Sequence, residues 1–107
     1  MSTGRDGPRP SNAGFPDDLV ALQQHWTRLF NRLAASPPPD GRAMRAELLR
    51  TGLRIDAHPH WAATVGGWSR TARRELQLHA ARAPGGEPLL VTRCVDGRIV
   101  AVPPDAP

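Results

Sequence analysis

The sequence predicts an α-rich α+β fold in which helices come first and a β-hairpin closes the domain. Three observations carry this expectation. Apolar residues recur at spacings of three and four from Leu19 to Leu33, and at a spacing of four through Ala72, Leu76 and Ala80, the period of helices with one buried face. Asp96-Gly97 sits between two strand-like runs, and a two-residue hairpin turn needs positive φ at both central positions. Pro37-Pro38-Pro39, His58-Pro59, Gly66-Gly67 and Pro84-Gly85-Gly86 separate these segments as breakers.

At 107 residues the chain has the size of one small domain. Residues 1–14 and 103–107 are rich in Gly, Pro and polar residues, so they are expected as disordered tails around a domain spanning 15–102. All fourteen basic residues are arginine and the net charge is +4, which suits a polyanionic partner without demanding one. The single cysteine, Cys94, excludes an internal disulfide. No apolar run approaches the roughly 18 residues of a membrane span, and no signal peptide is legible. The expected location is therefore cytoplasmic.

In order, Phe15-Pro16-Asp17-Asp18 opens the first helix, residues 15–35. Proline fits a first turn, the acids suit the positive end of the dipole, and Phe15 is placed to staple back. Leu19, Leu22, Trp26, Leu29, Phe30 and Leu33 form its stripe. Trp26 and Phe30 are read chiefly as core, with part of the stripe left over to meet a second copy of the chain.

Asp40 is read as the N-cap of a second helix with Met44, Leu48 and Leu49 inward. Gly52 is read as its left-handed C-terminal cap, with Leu53 as the hydrophobic contact. Leu53-Arg54-Ile55-Asp56 alternates apolar and polar, which predicts a short strand. Pro59 opens a third helix, His60 to about Val65. Ser69 is the N-cap of a fourth, running to about Arg82. Pro88–Val95 and Arg98–Val102 are the two arms of the hairpin.

Without the first helix, the order is helix, short strand, helix, tight turn, helix, hairpin. This is the order of a winged helix-turn-helix, here with an extra N-terminal helix and a C-terminal hairpin as the wing. In the fourth helix, Arg70, Arg73, Arg74 and Gln77 fall largely opposite the apolar stripe, an arrangement suited to a DNA major groove.

A family resemblance follows from particular residues. Leu49 and Gly52 stand at the end of a helix, Trp61-Ala62 stand for a Leu-Ala pair, and Val65-Gly66 with Trp68-Ser69-Arg70-Thr71 supply a turn. Arg73-Arg74 and Leu76 then match a recognition helix, and Leu89 to Val102 a wing. Over residues 44–102 the chain resembles the DNA-binding domains of GntR-type bacterial regulators, whose pattern runs near L-A-x-x-L-G-V-S-R-x-T-V-R-x-A-L.

The resemblance implies that Ser69, Arg70 and Thr71 meet a phosphate at the start of the recognition helix. It implies that Arg73 and Arg74 reach bases or backbone beside Gln77, and that Arg98 in the wing touches the minor groove or a phosphate. The alternative reading of Arg98 is an edge-strand charge that discourages aggregation.

The expected function is therefore DNA binding by a small bacterial transcriptional regulator or mobile-element accessory factor. Its partner would be double-stranded DNA, bound by a homodimer joined through the N-terminal helix. The alternative is a protein–protein interaction module, such as an antitoxin, immunity or assembly subunit, using the same fold without DNA.

Trp61 and Trp68 are read as core rather than as stacking platforms. His58, His60, His79 and Cys94 have metal-ligand chemistry but match no recognised spacing. Cys94 reads as a buried, inert mid-strand thiol. No nucleophile–base pairing, phosphate loop or paired-carboxylate motif stands out. No enzyme, cofactor or metal is expected.

Overall fold

The computed structural model describes residues 14–64 and 66–104. Of the expected tails, 1–14 and 103–107, residues 1–13 and 105–107 lie outside the described residues, as does Val65. The elements are helices α1 (Asp17–Ala35), α2 (Arg42–Asp56), α3 (Pro59–Ala62) and α4 (Arg70–Arg82), then strands β1 (Val91–Val95) and β2 (Arg98–Val102). The fold is α+β: helices followed by one two-stranded antiparallel hairpin.

The organising element is α1, because α2, α4 and β2 all pack against it. Its helix begins after Pro16, with Asp17 and Asp18 in the first turn as the dipole favours. Leu19, Val20, Ile55, Trp61, Leu76 and Ala80 form the buried core, with Phe15, Leu22, Trp26 and Ala72 packed on it. Phe15 packs across onto α3 and α4, its ring centroid lying 5.5 Å from that of His60 and 5.6 Å from that of His79.

Four expectations for α2 are corrected. Gly52 does not end the helix, and 53–56 is not a strand: the helix runs through both to Asp56. A glycine inside a helix costs only about 1 kcal/mol. Continuing the helix places Ile55 one turn beyond Thr51, and both are buried, so burial outweighs that cost. Leu49, expected inward, faces outward. The cap also moves by one residue: Gly41 holds the N-cap position, and Asp40 Oδ1 accepts the Arg42 N–H at 3.1 Å.

The short α3 is capped by His58, whose Nδ1 accepts the His60 N–H at 3.0 Å. Ser69 caps α4 as expected, its Oγ accepting the Ala72 N–H at 3.0 Å. After α4 the chain turns through Gly86, where a Cβ would lie 1.9 Å from the Ala80 carbonyl oxygen, so only glycine fits.

The hairpin forms as expected, with Asp96 and Gly97 both at positive φ, 52° and 76°. Its first strand is shorter than expected and begins at Val91 rather than Pro88. Cys94 is a further correction: it is exposed, opposite Ile99, because among the described residues no third strand or helix covers that part of the ribbon.

Candidate functional site

The polar side chains of α1 seal one side of the molecule. Gln24 Nε2 donates to the carbonyls of Ala80 and Pro84, and Arg28 donates to that of Gly85. Asn31 Nδ2 donates to Glu87 Oε2 at 2.7 Å and to the Pro88 carbonyl at 2.9 Å, while its Oδ1 accepts the Leu90 N–H at 2.9 Å. Residues 24, 28 and 31 lie on one helical face, so they pin the end of α4 and the entry to the hairpin onto α1.

A second network joins α1, α2 and α4 around Arg73. Arg73 Nη1 donates to Gln23 Oε1, and Arg73 Nε donates to Asp56 Oδ1 at 3.3 Å. Gln23 is fully buried and donates in turn to Thr27 Oγ1 at 3.0 Å. The guanidinium carbon of Arg73 lies 5.5 Å from the Trp26 ring centre, a cation–π contact. Burial pushes the Arg73 pKa down, and the charge and hydrogen bond of Asp56 oppose that shift. The side chain is only 13 % exposed. Arg73 is therefore a tie between helices rather than an outward-facing charge.

The other residues expected to touch DNA divide. Arg70, Thr71 and Arg74 are exposed on α4, and Arg98 is exposed beside the hairpin turn. Ser69 is exposed too, but its hydroxyl is engaged as the cap. Gln77 is half-buried and, with Arg74, borders a recess lined also by Pro88, Leu89 and Val91.

The three tryptophans have different fates. Trp61 is core, and its indole N–H donates to the Ile55 carbonyl at 2.7 Å. Trp68, expected in the core, is 46 % exposed and donates to Asp56 Oδ1 at 3.0 Å. Trp26 is half-buried and stacked on Phe30, and its N–H has no acceptor among the described residues.

Trp26 forms one wall of an open groove of about 440 Å³ between α1 and α2. Leu48, Leu49, Gly52 and Leu53 supply the α2 side. Arg45 stands at one end, and Asp56 with Arg73 at the other. Along α2, residues 45 to 56 span about 16 Å, three turns. Leu49 and Leu53 are 66 % and 61 % exposed and lie one turn apart.

Gly52 has its role here: a Cβ at this position would approach Trp26 Nε1 to 3.3 Å, so glycine lets the indole lie close to the α2 backbone. The sequence contains every residue of this groove. Reading Gly52 as a helix end and Leu49 as inward concealed it.

Among the described residues no three His, Cys, Asp or Glu side chains gather as a metal site. His58 is occupied by the α3 cap and by Asp18, whose Oδ2 lies 3.0 Å from its Nε2, while His60 and His79 both pack on Phe15. Compared with known proteins, the chain matches no family model, no curated protein and no solved structure.

Proposed function

We propose that this protein is a protein-interaction module whose groove between α1 and α2 receives a helix of a partner. The observation that carries the reading is the pair of exposed leucines, Leu49 and Leu53, beside Trp26. Large apolar side chains gathered at a concave surface mark contact sites more often than scattered ones do. Two leucines one turn apart, in a groove about three turns long, suit the apolar stripe of an amphipathic helix.

The test is selection of binders from a helical peptide library on the intact chain, with counter-selection on the double variant Leu49→Ser, Leu53→Ser. Binders that lose this variant are expected. A library that yields none depending on those leucines refutes the reading.

One observation favours a second reading. Arg70 and Arg74 are exposed, one turn apart at the start of α4, and neither has an ion-pair partner among the described residues. In this reading α4 is the recognition helix of a winged helix-turn-helix like those of GntR-type regulators. Arg70, Thr71 and Arg74, with Arg98 in the wing, would then contact double-stranded DNA, and Arg73 would not. A gel shift tests it. Binding should fall steeply between about 50 and 200 mM salt as counterions are released. Arg70→Ala with Arg74→Ala should abolish the shift, and binding that survives both changes removes this face from the site.

A further inference from the structure

We propose that the helix received by the α1–α2 groove is acidic, with carboxylates placed against Arg42 and Arg45. This rests on the docking reading above and adds the chemistry of the partner. Arg42, Arg45, Leu49 and Leu53 recur at spacings of three and four, so they lie on one face of α2. That face is basic at its N-terminal end and apolar through its middle.

Neither arginine has an ion-pair partner among the described residues. The carboxylates of α2 are already engaged. Glu47 is held by Arg50 at 2.5 Å and by His25 at 3.2 Å, while Asp56 accepts from Arg73 and Trp68. Arg45 at the end of the groove, with Arg42 beside it on the same face of α2, is therefore a cationic donor with no ion-pair partner among the described residues, and the guanidinium fork matches a carboxylate.

The Trp26 N–H adds a donor without an acceptor on the α1 wall. A carboxylate or hydroxyl from the incoming helix would satisfy it.

Charge also argues against a second copy as the occupant. The same face of another α2 brings two more arginines and no unengaged carboxylate. An isologous contact would bury like charges against an apolar groove. The net charge of the chain, +4, works in the same direction.

The experiment uses the full chain and two synthetic peptides of about 18 residues, long enough to hold a helix. Both carry a leucine stripe at spacings of three and four. One has glutamates beside the stripe, and the other has lysines at the same positions. Binding is followed by the Trp26 indole resonance and by titration at two salt concentrations.

The glutamate peptide should shift that resonance and bind about tenfold more tightly than the lysine peptide, with the difference shrinking at high salt. Arg42→Glu with Arg45→Glu should reverse the preference. Leu49→Ser with Leu53→Ser should remove binding of both peptides. All four positions are solvent-facing or partner-free, and an unchanged thermal midpoint confirms that the variants fold.

Equal binding of the two peptides in the groove overturns the acidic partner and leaves the docking reading standing. So does a chain that sediments as a dimer and becomes a monomer on Leu53→Ser, because the occupant is then a second copy. A Trp26 resonance that neither peptide moves, in a chain that stays monomeric, overturns both.

Discussion

Gln24, Arg28 and Asn31 face α4 and the chain that leaves it, and each donates to a carbonyl there. Elsewhere on the same helix, Trp26 faces the outer ridge of α2 and its N–H has no acceptor among the described residues. On the α4 side Arg73 is enclosed by Gln23, Asp56 and the Trp26 ring. On the α2 side Arg42 and Arg45 have no ion-pair partner among the described residues, and two leucines meet solvent. Where α1 meets the end of α4, its polar side chains have their partners; along the groove, the Trp26 N–H, Arg42 and Arg45 have none among the described residues, and Leu49 and Leu53 are exposed. That difference separates a closed interface from a surface whose apolar and cationic groups are still exposed.

The largest effect should separate two leucines. Leu76 is fully buried, and Leu76→Ala should cost about 2–5 kcal/mol in chemical denaturation. Leu49 is exposed, and Leu49→Ala should change stability by no more than about 0.5 kcal/mol. Comparable losses at the two sites would break the distinction between a closed and an open side.

Gly86→Ala comes next. Its added Cβ would meet the Ala80 carbonyl at 1.9 Å, so the turn must shift, at a cost of about 1–3 kcal/mol. A thermal midpoint equal to that of the parent protein would show that the end of α4 is not held as tightly as Gln24 and Arg28 imply.

Arg73 and Arg74 sharpen the contrast, being neighbours in sequence with opposite surroundings. Arg73→Ala leaves the buried Gln23 oxygen without its donor and should cost about 1–3 kcal/mol. Arg74→Ala should leave stability within about 0.5 kcal/mol. If both prove neutral in denaturant titrations, Arg73 does not tie the helices together.

The smallest effect is acid sensitivity at two exposed sites. The hydrogen bond with His58 holds Asp18 below its ordinary 3.8, and the hydrogen bonds with Arg50 and then His25 hold Glu47 below its ordinary 4.5. Depressed carboxyls bind fewer protons when folded than when unfolded. Their contribution is therefore present above those ordinary values and is lost as pH falls through the lowered ones. Melting curves from about pH 5 to pH 3 should show a shallower decline for Asp18→Asn with Glu47→Gln than for the parent chain. Parallel declines would remove these pairs from the acid response.

Local signals in the sequence were sufficient wherever the cause was local. Asp96-Gly97 specifies its turn because few other residue pairs accept two positive φ values in succession. Ser69 caps α4 because the free N–H that it satisfies is three residues away. The stripes of α1 and α4 follow from the helical period, and they located Leu19, Leu29, Leu76 and Ala80 inside.

Tertiary structure decided what depended on distant neighbours. Gly52 ends a helix or continues one according to what Ile55 gains by burial, and it is the Trp26 ring that makes a small residue useful there. Trp61 and Trp68 flank the same turn, yet only Trp61 finds the core. Arg73 turns inward because Gln23 and Asp56, 50 and 17 residues away in sequence, wait for it, whereas Arg74 finds no such partner among the described residues. Composition and periodicity describe a residue's own conformational preferences. Whether its side chain ends in the core, in an ion pair or at an open groove is determined by side chains that only the folded chain brings beside it.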